Sequence, residues 1–346
     1  MPAKLSSVAN PVEVFCWPLD ALRAWLLRLL APLLRPFIAH RERRVALTGA
    51  AVVAVAFFCA ALAPLWLLSL GPLLLGVPHV IGDARYLVVR PGLHRRLRLW
   101  IGVGGPLLWV TTGSWVGFLA SAGAVLAARA SWRRKLPALL LILSVSGGAF
   151  YLGRTADLLF VHLHNFVAVG VFLGWRRRAG RAHLWALAAF LGAVAVLFFG
   201  LARSWMLDLS ALAPGLELWT LVGSYTAPGL DPVWGLRLLT VFAFVQSVHY
   251  SVWLRLIPEE ARPQPTPRSF LQSYRALQGD FGRLGALGLL LLSLGIPLYG
   301  LFHLVEARSL YLDLARFHGY VELAALALFW TEQQRPHQAC AESLQK

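Results

Sequence analysis

The sequence predicts an all-α protein: a polytopic integral membrane bundle of about ten transmembrane helices (8–10), with both termini cytoplasmic. Three observations carry this. Of the 346 residues, 58% are hydrophobic and 14% charged, and the mean hydropathy is +0.64, so there is more apolar surface than a soluble core of this size can enclose. The apolar residues fall in successive runs of membrane-spanning length. The excess of Lys and Arg, a formal net charge of +16, sits in short clusters between those runs. Clusters placed so are topology signals and contacts to anionic lipid, not a nucleic-acid surface.

Residues 1–44 form an N-terminal cytoplasmic segment. From Val14 to Ile38 the chain is apolar but interrupted by Asp20, Arg23, Arg28, Arg35 and prolines, which predicts an amphipathic helix at the interface. A single transmembrane domain follows over 45–331, with runs at 45–70, 72–90, 99–112, 114–130, 136–152, 155–174, 182–203, 234–256, 284–304 and 313–331. Basic clusters at 41–44, 90–98, 133–135, 176–181 and 255–283 leave two crossings between neighbours, which places them all on the cytoplasmic side. The cytoplasmic loop 257–283 is proline-rich and then reads as a surface helix. The outer loop 204–233 is apolar and aromatic enough to act as a lid or interfacial element, and 332–346 is a cytoplasmic tail. Cys16, Cys59 and Cys340 are scattered, with no disulfide or thiolate-metal spacing. High Arg and Ala with almost no Lys suggests a bacterial chain, hence the cytoplasmic (inner) membrane.

Five of the ten histidines lie inside spans: His79, His162, His164, His249 and His318. At a rise of about 1.5 Å per residue, all lie about 15–21 Å from their cytoplasmic ends, near the midplane of a hydrocarbon core about 30 Å thick. A lone intramembrane histidine is usually packed and hydrogen-bonded between helices. Four helices presenting imidazole at one depth point instead to a shared metal site. His162 and His164 face opposite sides of one helix, so one ligand and one neighbour are expected. His79 and Asp83 are i, i+4, as are His318 and Glu322, so each carboxylate shares its histidine's face. Such a carboxylate could hold the far ring proton of a ligating imidazole, or ligate directly. Salt bridges to Arg85 or Arg316 are the plainer alternative. Gln246, three before His249, could steer that ring.

HExxH, GxxxxGK[ST], the histidine boxes of membrane desaturases and the paired histidines of b-type cytochromes are all absent, and two methionines do not make a Cu(I) path.

The stretch GVPHVIGDARYL, 76–87, resembles the Brp/Blh family of bacterial β-carotene 15,15′-dioxygenases, whose early span carries a Gly-x-Pro-His-Gly-x-x-Asp motif. The resemblance covers about a dozen residues; Val80 stands where that family has glycine, and its later HxxxH pair is missing. It implies a non-haem iron oxygenase with His79 as an iron ligand and Asp83 its neighbour, acting with O₂ on a carotenoid-like substrate dissolved in the bilayer. His162 or His164, His249 and His318 would complete the set. The rival readings are a bis-histidine haem protein for electron transfer or sensing, a proton-coupled transporter relaying through His79, Asp83, Glu322 and His318, and an assembly protein without chemistry.

Overall fold

The computed structural model describes residues 11–175, 182–200, 217–227, 229–262 and 266–334, and among them there are only helices and turns. The chain is a helical membrane protein. Expectations for residues 1–10, 204–216 and 335–346 lie outside the described residues.

The N-terminal segment is two short helices, α1 (Pro11–Leu29) and α2 (Ala31–Ile38). The apolar face of α1 remains uncovered at Phe15, Trp17 and Trp25, as an interfacial helix requires. Then come α3 (Arg41–Leu62) and α4 (Pro64–Val89), broken helical turns over 97–112, α5 (Ser114–Ala127), α6 (Trp132–Leu152), α7 (Arg154–Trp175) and α8 (Ala182–Phe198). The second half holds α9 (Leu218–Tyr225), α10 (Pro232–Ser251), α11 (Phe270–Gly300), α12 (Leu304–Ala315) and α13 (His318–Glu332).

Among the described residues, α3, α4, α6, α7 and α11 are long and apolar enough to cross a membrane. Other expected spans come out short or divided. The run 313–331 breaks between Ala315 and His318, which gives α12 and α13 separate axes. The run 99–112 is interrupted by a π-helical stretch, Trp100–Gly104, and a 3₁₀ turn, Val110–Thr112. The loop 257–283 is partly helix: α10 continues through a π stretch into Ile257–Glu260, and the surface helix joins the following span as α11, with a bend at Gly282.

Between helices in lipid there is little hydrophobic drive to associate, so packing and polar clips position them. Asp231 caps α10, its Oδ1 accepting from Val233 N–H at 2.8 Å, with Pro232 at the first helical position. Asp157 Oδ1 accepts from Ser114 N–H at 2.8 Å and ties α7 to the start of α5. Glu332 Oε1 accepts from Arg96 Nη1 and Arg129 N–H, both at 2.7 Å. Within 204–233, expected as an outer loop, α9 buries Leu218, Leu221, Val222 and Tyr225 against Leu65, Leu68, Leu236 and Phe242. That segment is thus core.

Candidate metal centre

Three helices deliver polar groups to one place in the interior, and a fourth borders it. α4 supplies His79 and Asp83, α10 His249, and α13 His318; one ligand atom from each lies within 4.8 Å of all the others. His164 of α7 stands beside them, its ring centroid 5.4 Å from that of His249 and 5.3 Å from that of His318. His79 and His249 are wholly buried, Asp83 is 2% exposed, and His318 is partly open to a cavity.

Local sequence explains how α4 aims two ligands inward. Pro72 and Pro78 cannot donate to the helical ladder, and π-helical turns at Pro72–Gly76 and Ala84–Val89 flank the α-helical Val77–Asp83. Such turns rotate one stretch of helix relative to the next, and they recur at functional sites. α10 does likewise, turning π-helical over Val252–Leu256 just beyond His249. Gly76 lets the Tyr311 ring in: a Cβ there would stand 2.4 Å from Tyr311 carbons. Tyr250 packs on the His79 ring at 4.3 Å between centroids.

The hydrogen bonds fix which nitrogens are free. His318 Nδ1–H donates to the Ala315 carbonyl and His164 Nδ1–H to the Phe160 carbonyl at 3.2 Å, so in the neutral rings each Nε2 carries a free lone pair. His79 Nε2 is 3.3 Å from His318 Nε2. Its Nδ1 faces the Leu75 and Gly76 carbonyls without a well-aligned bond. Both nitrogens of His249 and both oxygens of Asp83 lack a well-aligned hydrogen bond among the described residues, though His249 faces the Asn165 backbone and Asp83 the Glu322 carboxyl. Buried polar atoms left unpaired cost about 1–3 kcal/mol each, so several converging at one point need a shared partner. A metal ion fits this donor set. Two imidazole nitrogens about 2.1 Å from one tetrahedral ion stand about 3.4 Å apart, close to the His79–His318 separation.

Around the cluster, Glu322 is fully buried; its Oε1 accepts from Trp253 Nε1 at 2.8 Å and lies 3.6 Å from His249 Nε2. Asp83 and Glu322 are close enough to interact electrostatically. The sequence paired Glu322 with His318; the fold presents it to His249 on another helix. Neither suggested salt bridge forms, because Arg85 binds Asp280 at 2.5 Å and Arg316 binds Asp313 at 3.0 Å. His162 is turned away, donating from Nε2 to the Tyr225 carbonyl at 2.8 Å, while Gln246 lines the cavity without bonding His249. Trp253, Tyr311 and Arg308 carried no signal in the sequence, since nothing in a single helix's pattern says which aromatic or guanidinium of another helix will meet it.

A cavity of about 480 Å³ reaches the cluster at His164 and His318 and runs past Tyr250 and Gln246 to Arg154 and Thr111, near the ends of their helices. Arg308 borders it, donating from Nε to the Leu68 carbonyl at 2.8 Å and from Nη2 to Tyr225 Oη at 2.6 Å. A second, apolar cavity of about 280 Å³, lined by Trp100, Leu107, Phe317 and Leu328 among others, lies by the other side of α13's first turn.

No family model, curated protein or solved structure matches the chain.

Proposed function

We propose that this is a ten-span protein of a bacterial cytoplasmic membrane that holds iron in its interior and oxidises a lipophilic, carotenoid-like molecule with O₂. The observation that carries the reading is the convergence of His79, His249, His318 and Asp83, with their unpaired polar atoms, at a point buried within a membrane bundle. These four would hold the ion, with His164 next in reach and Glu322 balancing its charge. Bound iron(II) would supply O₂ activation in a site sheltered from water. The chain's own part is to hold and exclude. Tyr250, Tyr311 and the apolar residues beside them would orient a greasy substrate in the cavity that reaches His164 and His318. A long polyene exceeds 480 Å³, so only its reacting segment would lie within.

The geometry speaks against haem. The imidazoles of His79, His249 and His318 pack edge to face with centroids 4.9–5.8 Å apart, which leaves no flat slot for a macrocycle between them. Transport keeps one observation in its favour, the neighbouring carboxyls of Asp83 and Glu322.

The test is metal analysis with a visible spectrum on detergent-purified protein, wild type beside His79→Ala. Iron near one per chain without a Soret band, lost in the variant, supports the reading and leads to carotenoid turnover under O₂. A Soret band means haem. Metal-free protein from chelator-free purification rejects both and leaves the transporter.

A further inference from the structure

At the arginine-rich end of the bundle lies a third cavity, about 340 Å³, formed where α4, α10 and α11 meet. The bend in α11 creates it. Gly282, at φ 76° and ψ 170°, takes a conformation that L side chains avoid, and it folds the first stretch of α11 back toward the bundle. Ser273 and Tyr274, before the bend, therefore line the same space as Leu289 and Ser293, after it.

Four arginines line this cavity, Arg85, Arg255, Arg262 and Arg268, against a single carboxylate, Glu259. That carboxylate is already engaged by Arg44, at 2.5 Å from Nη2, and by Arg262 Nη2, with Arg255 Nη1 3.8 Å from its other oxygen. Arg85 spends its Nε on Asp280, which Arg90 shares at 3.1 Å. Arginine donors remain over. Arg262 is 5% exposed and its Nε is buried without a hydrogen-bond partner among the described residues, as is Arg85 Nη2. Arg268 makes no hydrogen bond or ion pair among the described residues; burial, with Arg90 and Arg85 nearby, lowers its pKa, though Tyr86 and Asp280 oppose this. Packing surplus guanidinium groups this way is unfavourable unless an anion joins them. The rest of the wall is apolar, including Pro78, Ile81, Leu289 and Leu290.

We infer that this cavity is an anion site for a phosphate group, held by Arg262, Arg268, Arg85 and Arg255. A phosphate offers several oxygens, which guanidinium forks from different directions can share. Basic pockets between spanning helices take lipid headgroups in this way. The apolar floor beneath the arginines suits an amphiphile whose phosphate stays at the arginine level while its chains run toward α4 and α11. The site shares a wall with the metal cluster, since Trp253 and Gly82 line it, yet it uses none of the cluster's ligands.

The experiment is thermal unfolding of delipidated, detergent-purified full chain against dioctanoyl phosphatidylglycerol, dioctanoylglycerol (the same tails without phosphate) and inorganic phosphate. The expected result is a saturable rise in Tm with phosphatidylglycerol and none with dioctanoylglycerol. In the double variant Arg255→Gln with Arg268→Gln, half-saturation should need at least tenfold more lipid. Both residues are partly exposed, so the variant's Tm without ligand reports whether it folds; Arg268→Gln alone, with a smaller loss, is the fallback. A rise with inorganic phosphate at comparable concentration identifies a free phosphoanion instead of a headgroup. Equal stabilisation by dioctanoylglycerol, no response to either phosphate compound, or unchanged affinity in the folded variants overturns the proposal.

Discussion

Trp253 and Glu322 are joined by an indole N–H to carboxylate hydrogen bond of 2.8 Å, and the bonded oxygen lies 3.6 Å from Nε2 of His249. The bond crosses from α10's π-helical continuation to α13, and both partners are fully buried. It sets where the Glu322 carboxyl sits relative to the imidazoles. Trp253→Phe keeps the ring's bulk and removes only the donor. It should weaken metal binding about 10–100-fold, the usual cost of losing an outer partner of a metal site. Chelator competition on purified protein measures this, and unchanged affinity would show that Glu322 acts without its tether.

Spacing put His162 and His164 on opposite faces of one helix, and the fold turns His164 toward the cluster and His162 away. His164→Ala should lower metal affinity or turnover with little change in folding, because its ring borders His249 and His318. His162→Ala should leave metal content unchanged and cost about 1 kcal/mol, the typical net value of its bond to the Tyr225 carbonyl. Metal stoichiometry and thermal midpoint, measured on both variants, check the assignment. The reverse pattern would require the α7 helix to be rotated.

Much of this site was legible because depth in a membrane follows from counting. His79, His164, His249 and His318 come from four helices, and a rise per residue placed them at one level before any packing was known. The i, i+4 rule put Asp83 beside His79 correctly, since both stand on one α-helical stretch. Glu322 also comes within 3.6 Å of His249, an approach from another helix that spacing within one helix cannot show. The basic clusters at 41–44, 90–98 and 133–135 fall at or beside helix starts and ends, yet apolar runs do not reveal breaks. The π-helical turns near His79 and His249, and the break before His318, depend on tertiary contacts that outweigh local pattern.

Gly76 offers a steric test of the same region. A methyl group there would overlap the Tyr311 ring, which is itself 2% exposed. Gly76→Ala should therefore destabilise by about 1–3 kcal/mol, the usual range for overpacking. Tyr311→Leu in the same chain should recover a good part of that loss. A double-mutant cycle on unfolding midpoints reads the coupling, and strict additivity would mean that the ring does not occupy this position.

The docking of α1 gives a prediction in pH. Asp20 accepts the backbone N–H of Phe270 at 2.6 Å and of Leu271 at 3.1 Å, so a carboxylate from the N-terminal helix caps the start of α11. Burial tends to raise its pKa, but the two N–H groups, Ser269 and Arg23 together outweigh this and hold it below the usual carboxylate range. A carboxyl with a lowered folded-state pKa contributes stability that is complete above its unfolded value, near 4, and lost as pH falls through the folded one. α1 should accordingly stay docked at neutral pH and loosen in acid below about pH 4. A nitroxide attached through Trp17→Cys, at an exposed position of α1 in a background lacking the native cysteines, reports its mobility. Motion should increase on acidification in the parent. In Asp20→Asn it should already be raised at pH 7 and change little below pH 4, whereas an identical acid response in both chains would place the switch on some other group.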